Sequence, residues 1–394
     1  MSFRFALATF SLLGLSLSAA CGSEYDAALQ APVDAEQAII NGEACSEDVQ
    51  PTAVAILIDA EIALGTLGTF PIKSAICTGT LIAPDTVLAA AHCIDEEVLL
   101  QQFFGLGTIE RISFSITRQA DLSYLAEAAG QEDPPAFPDD AIEVVRWVKH
   151  DGFDINDLAN VTTNPGPGDY NDVALLFMAS TIDDVEPEIV ITAAESDQVV
   201  QDAVVEIAGW GQQTVTSGGS EPPPAGTVGI KICGESFINV VGDTEFQVGG
   251  DSSTTRKCHG DSGGPTFMTI DTDHERKRRV IGITSHAFDE TDCETGGVDT
   301  RVSSFLEWID TEMRASCGDD TRVWCEVDGL IEPGFYDPPA PAPAPAPDAG
   351  PDGEGGDDDK LDDGCNATHT PKQNVPFALF LLSGLVFFGR RQRG

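Results

Sequence analysis

With 394 residues, 42% of them apolar, the chain has enough material for a full hydrophobic core and appendages, which excludes a mini-protein. Lysine and arginine total 21 against 65 aspartates and glutamates, a formal charge of −44 that runs through the body as well as the tail. So acidic a chain repels phosphate backbones and anionic lipid, which excludes nucleic-acid partners and leaves membrane contact to terminal anchors.

In chain order, residues 1–20 hold one early arginine, an apolar stretch from Phe5 to Leu17, and the small residues Ser18, Ala19 and Ala20. That pattern is an export signal. Cleavage after Ala20 would leave Cys21 first. Two readings stand: a lipid-modified Cys21, as in a bacterial lipoprotein box with Ser18 in place of its usual leucine, and ordinary signal-peptide cleavage. Residues 21–38 are polar and without a period, which suits a propeptide. From Ile39 to about Ala315 come short β-branched runs separated by Gly, Pro, Asp and Asn. Thr52–Ile58, Val87–Ala91, Val173–Met178, Val204–Ala208 and Val280–Thr284 are examples, and such spacing predicts an all-β barrel or sandwich. The basic run Arg276–Arg279 is expected at a hairpin tip. Phe305–Arg314 is the expected helix, with Phe305, Trp308, Ile309 and Met313 on one face and Ser304 with Glu307 as a capping box.

Beyond the helix, residues 317–337 form a short extension, and 338–364 a proline-alanine spacer followed by an acidic linker. Val375–Gly389 is apolar and precedes Arg390, Arg391 and Arg393; fifteen residues are short for a span, and the arginines would stay on the cytoplasmic side. Ten cysteines without a C-x-x-C motif argue for disulfides in an oxidising compartment rather than zinc. With Cys21 and Cys365 outside the folded body, eight remain for pairing.

Hydrolysis of a peptide bond by a hydroxyl needs a nucleophile, a base and donors where the oxyanion forms. CHGDSGGP, Cys258–Pro265, can supply two of these. Its glycines let the chain turn tightly around Ser262 and leave the N–H groups of Gly260 and Ser262 aimed at one point. CTGTLIAPDTVLAAAHC, Cys77–Cys93, places His92 at the end of an apolar run, and DYNDVALL, Asp169–Leu176, places Asp172 before another. Taken singly, His92 would read as a core histidine and Asp172 as a loop cap. His150, His274 and His369 show no partner pattern, and Asp151, Asp154 and Asp157 read as solvated loop acids. No metal or other cofactor is implied.

Taken as an ordered set, His92, Asp172 and Ser262 resemble the trypsin/chymotrypsin family. IING at Ile39–Gly42, Gly209-Trp210-Gly211 and GVDTRVSSFLEWI at Gly297–Ile309 extend the likeness over nearly all of 39–316. The resemblance implies two packed six-stranded antiparallel β-barrels with one C-terminal helix and a cleft between the barrels. It implies a serine endopeptidase acting on protein or peptide substrates, with Ser262 as nucleophile, His92 as base and Asp172 orienting it. The alternative is a catalytically silent surface-binding pseudoprotease.

The likeness also implies disulfides Cys77–Cys93, Cys258–Cys293 and Cys45–Cys233, leaving Cys317–Cys325 as a local fourth. Maturation would cut between Ala38 and Ile39 and pair the new amine with Asp261, although Ala38 stands where the family has Arg or Lys. His259 and His286 match substrate-contacting positions, and Ser285, Ala287 and Gly297 match pocket walls. Arg256, beside Lys257, stands where trypsin-like members carry an aspartate, so trypsin-type cleavage is expected to be absent. An inward, unpaired Arg256 would select Asp or Glu; Arg256 paired with Asp299 would leave a shortened pocket for small apolar residues. Lastly, Gly364-Cys365 with the 365–394 tail resembles the myxobacterial C-terminal sorting signal. That implies a sorting protease and the surface of a Gram-negative bacterium, the alternative being a plain tail anchor.

Overall fold

The computed structural model describes residues 39–101, 107–128, 134–158, 165–213, 226–288 and 293–316. The expected export signal, propeptide, Cys317–Cys325 pair, spacer and sorting tail lie outside the described residues. No helix among the described residues is long and apolar enough to cross a membrane.

Strand β1 (Glu43–Ala44) leads into the first barrel, which is formed by β2 (Ala53–Ala63), β3 (Thr69–Ala83), β4 (Thr86–Ala89), β5 (Thr108–Thr117), β6 (Ile142–Lys149) and β7 (Ala174–Met178). These close antiparallel in the order β2-β3-β4-β7-β6-β5. The β2–β3 hairpin pairs from Ala53↔Thr80 to Ala63↔Thr69 with a bulge between Ile56 and Leu57, and a bulge is what bends a long ladder enough to close. Ile56, Ile58, Leu81, Leu88, Phe114 and Leu176 fill the interior. Each such side chain stabilises the fold by roughly 1.5–3 kcal/mol on burial.

The second barrel takes β8 (Val204–Gly209), β9 (Ile232–Val241), β10 (Glu245–Val248), β11 (Pro265–Thr269), β12 (Arg278–Ala287) and β13 (Gly297–Arg301). Its order is β9-β10-β13-β12-β11-β8, and pairing of β8 with β9 closes it; β1 adds to β9 from outside. The architecture is the expected pair of six-stranded antiparallel barrels.

One local expectation needs correction. The terminal helix begins one residue late, at Leu306, with no side-chain cap. Ser304 belongs instead to a 3-10 turn, and its hydroxyl donates to the Asp243 carbonyl, so it cannot serve a capping box. The basic run stands at a hairpin tip as expected: β11 pairs with β12 out to Thr269↔Arg278, with Arg276 and Lys277 in the turn and Arg278 and Arg279 opening β12. Arg276, Arg278 and Arg279 form ion pairs with Glu186, Glu188 and Glu195.

Candidate active site

Register explains how His92 meets Asp172. Strand β4 pairs with β7 down to Ala89↔Ala174, so the residues just beyond one end of each strand, His92 and Asp172, come together. His92 sits in a 3-10 turn, Ala91–Cys93. Asn171, at φ 54°, supplies the left-handed kink that turns Asp172 inward, and asparagine adopts that conformation more readily than most residues. Asp172 is fully buried and accepts three hydrogen bonds. Its Oδ2 receives His92 Nδ1 at 2.7 Å and Ser285 Oγ at 2.6 Å, and its Oδ1 receives the His92 backbone N–H at 2.9 Å. Burial by itself would raise its pKa, but the His92 charge and these hydrogen bonds hold the carboxyl below its ordinary value.

Ser262 lies in the loop before β11. Asp261 N–H donates to the Cys258 carbonyl, Gly264 N–H to that of Asp261, and Gly260 and Gly263 take φ of 94° and 78°. At Gly263 a Cβ would lie 2.3 Å from the Thr78 carbonyl oxygen, so only glycine lets this loop approach β3. Thr78 N–H then donates to the Ser262 carbonyl at 2.8 Å, tying the loop to the strand that carries Cys77. The N–H groups of Gly260 and Ser262 have no acceptor among the described residues. No hydrogen bond joins Ser262 Oγ to His92 among those residues, and His92 Nε2 lies 3.8 Å from Cys93 Sγ; contacts of this kind tighten when substrate binds.

Three disulfides brace the site: Cys77–Cys93 beside His92, Cys258–Cys293 beside the Ser262 loop, and Cys45–Cys233 linking β9 to the residue just after β1, in the stretch that begins at Ile39. Two of them are spaced with a histidine as if to share a metal ion, Cys77 and Cys93 with His92 and Cys258 and Cys293 with His259. Oxidised sulfurs lack the thiolate charge that binds one.

A family model described as Trypsin matches residues 39–114 and 139–309, more than half of the chain. The chain belongs to the trypsin family. Among similar proteins are a trypsin from Phaedon cochleariae, 29% identical over 249 residues that cover 60% of this chain and 78% of that one. Kallikrein-4 of Homo sapiens is 24% identical, with coverages of 71% and 88%, and duodenase-1 of Bos taurus 26%, with 61% and 80%. A solved structure of HL collagenase aligns at 20% identity and a TM-score of 0.43, covering 70% of this chain and 98% of that one. The family makes this protein a serine-type endopeptidase.

The expected substrate pocket of this trypsin-family chain differs in its details from both sequence readings. Arg256 is neither unpaired nor partnered by Asp299: it is buried, with Nε on the Cys293 carbonyl and Nη1 on those of Ser252 and Thr254. Asp299 is taken by Lys257, whose Nζ lies 3.0 and 2.8 Å from the two carboxylate oxygens and 2.6 Å from Thr266 Oγ1. Burial holds the Lys257 pKa below its ordinary value, with Asp299 opposing. Gly297 flanks the lysine stem, since a Cβ there would come 3.3 Å from Lys257 Cβ. Ser285 donates its hydroxyl to Asp172, and Ala287 follows it two residues along β12.

Asp261 is fully buried, its oxygens accepting from the Gly211 and Cys258 N–H groups at 2.9 Å each. Burial outweighs those bonds and pushes its carboxyl up to about 6. Ile39 is buried as well, at φ 45°, a left-handed conformation rare for a β-branched residue.

Proposed function

We propose that the protein is an exported endopeptidase that cleaves peptide bonds through Ser262, His92 and Asp172 and is held at the cell surface by its C-terminal tail. The observation that carries the reading is the fully buried Asp172 bonded to His92, opposite a serine loop with two unspent N–H groups. Ser262 Oγ attacks the scissile carbonyl while its proton passes to His92 Nε2. The oxyanion is received by the Gly260 and Ser262 N–H groups. As the C–N bond breaks, His92 returns the proton to the leaving amine, and water repeats the sequence to free the acid. A fluorophosphonate probe should label the mature chain at Ser262, and Ser262→Ala should abolish both labelling and peptide cleavage. A wild-type chain that takes no label would mean a silent relative.

For the residue before the cleaved bond, the neutral Lys257–Asp299 pair and the carbonyl-saturated Arg256 favour a short pocket that prefers small apolar side chains. A peptide-library digest reads this directly, and cleavage mainly after Lys, Arg, Asp or Glu would refute it.

Maturation is assigned to cleavage between Ala38 and Ile39. Cutting that bond would release the left-handed strain at Ile39, which costs on the order of 1–3 kcal/mol, and would supply the cation that Asp261 lacks. In the uncut chain Asp261 holds its proton to higher pH when folded than when unfolded, so the folded state loses stability as pH rises from about 4 to 6. The loss amounts to about 3 kcal/mol at neutral pH. Once cut, the ammonium–carboxylate pair should remove most of that slope. Urea unfolding of Ser262→Ala protein in both forms at acid and neutral pH measures the difference, and parallel pH curves would refute the pairing. The tail, by this reading, is recognised by a sorting protease; deleting residues 365–394 should send activity into the medium.

A further inference from the structure

Glu245, the first residue of β10, is 1% exposed and lies against the loop that leads to Asp172. Its Oε2 accepts the Gly168 N–H at 2.6 Å and lies 3.3 Å from His286 Nε2, while its Oε1 has no hydrogen-bond partner among the described residues. His286 is 7% exposed, and its other ring nitrogen, Nδ1, is 2.8 Å from the Ala287 carbonyl oxygen. Tyr170 closes a further side, its ring edge-on to the imidazole at 5.3 Å between centroids. Burial, and then the Glu245 charge, push the Tyr170 phenol up.

Both imidazole nitrogens therefore face an oxygen. A neutral ring has one N–H and one lone pair, so beside an ionised Glu245 either tautomer would set an acceptor against an acceptor. Imidazolium alone donates to both, and the Glu245 carboxylate, with one oxygen unspent, is its counter-charge.

The placement gives this pair a consequence for substrate. Strand β12 pairs with β11 only as far as Ile283↔Pro265, whereas its pairing with β13 continues to Ala287↔Gly297. Among the described residues the other edge of residues 285–287 is unpaired, and it starts beside the nucleophile loop, where Gly263 N–H donates to the Thr284 carbonyl. Phe288 N–H points to β13, donating to Gly296, so strand alternation aims the Ala287 carbonyl at the free edge. An extended peptide added there as a strand would use that carbonyl as an acceptor.

We propose that His286 and Glu245 are a positioning pair for substrate residues upstream of the cleaved bond. The imidazolium, held between the Glu245 carboxylate and the Ala287 carbonyl, fixes the acceptor on which an extended substrate docks; this rests on the endopeptidase reading above. The polar groups facing the ring are Glu245 from β10 and the Tyr170 phenol from the loop before β7; Ser285, its neighbour on β12, is committed to Asp172.

Kinetics on a hexapeptide and on a single-residue ester, both with the same small apolar residue at the cleaved bond, test the pair. Glu245→Gln should raise the hexapeptide KM about tenfold, as expected for losing a charged hydrogen bond, and raise the ester KM far less. His286→Gln should shift the two KM values as Glu245→Gln does, and the double variant should lose no more than either single one, because the two side chains act as a pair. Equal losses on both substrates, or a double variant that loses the sum of the two, would overturn the proposal; His286→Gln on the two substrates decides alone if Glu245→Gln does not fold. No ester turnover and no labelling of Ser262 in the wild-type chain would instead overturn the endopeptidase reading, and the pair with it.

Discussion

Asp172→Asn should lower kcat by about 10⁴-fold at neutral pH while leaving the fold in place, the loss seen when the orienting carboxylate of such a triad is replaced by an amide. The geometry explains why the penalty falls on chemistry. Asp172 Oδ2 accepts from both His92 Nδ1 and Ser285 Oγ, and Oδ1 from the His92 N–H. An amide has one oxygen, and keeping it at the backbone donor sets an NH₂ against the ring. His92 must then turn its lone pair to Nδ1 and carry its proton on Nε2, where it cannot accept one from Ser262. Ser285→Ala is the control, since it removes one donor without dictating the tautomer, and it should cost far less. Steady-state kinetics with active-site titration checks both, and equal losses in the two variants would refute the tautomer argument.

How much of this was legible in the sequence depends on how local each feature is. The Ser262 loop announces itself because glycine is the residue that survives a φ of 94° or a backbone approach of 2.3 Å. His92 and Asp172 each border a short apolar strand, which alone reads as a core histidine and a loop cap; only the ordered resemblance picked them out, and the register of those two strands brings them together. The β-branched runs pointed to a barrel or sandwich and the resemblance to paired barrels, although β2 extends five residues past its apolar run, continuing through Ala63 as an alternating hairpin. The ionic partners were not legible. Glu245 meets His286 because β10 and β12 both flank β13, with Phe246 and Thr284 each opposite Asp299, and Lys257 reaches Asp299 from the segment between β10 and β11. That is a matter of long-range register. A signal was present all the same: Asp299 stands inside GVDTRV, and a carboxylate within a buried strand calls for a buried cation. Two cations were adjacent in the chain and both are buried, Arg256 on backbone carbonyls at its bridge to Ile40 and Lys257 on Asp299, a division that spacing from Ser262 does not disclose.

Lys257→Ser should convert the enzyme toward cleavage after Lys and Arg and at the same time destabilise it by about 3–5 kcal/mol, the cost of breaking a buried ion pair on one side. In the native pocket the Asp299 charge is spent: both oxygens lie within 3.0 Å of Lys257 Nζ, and Oδ2 also accepts from Thr266. Removing the lysine leaves a fully buried carboxylate and the space once filled by a four-carbon stem beside Gly297. A substrate cation can then supply the missing charge. Benzamidine, a soluble mimic of an arginine head, should accordingly raise the Tm of Lys257→Ser and leave that of the wild type unchanged. At a hundred times its Kd it would restore about 2.7 kcal/mol. The double variant Lys257→Met with Asp299→Leu removes both charges and should recover most of the lost stability without gaining basic specificity, short of the 1–3 kcal/mol expected for stranding the Thr266 hydroxyl. Denaturant unfolding with and without benzamidine, alongside a peptide-library digest of each variant, measures all of this. A Lys257→Ser enzyme that ignores benzamidine and still prefers small apolar residues would show that Asp299 does not reach the pocket, and the specificity argument would fall with it.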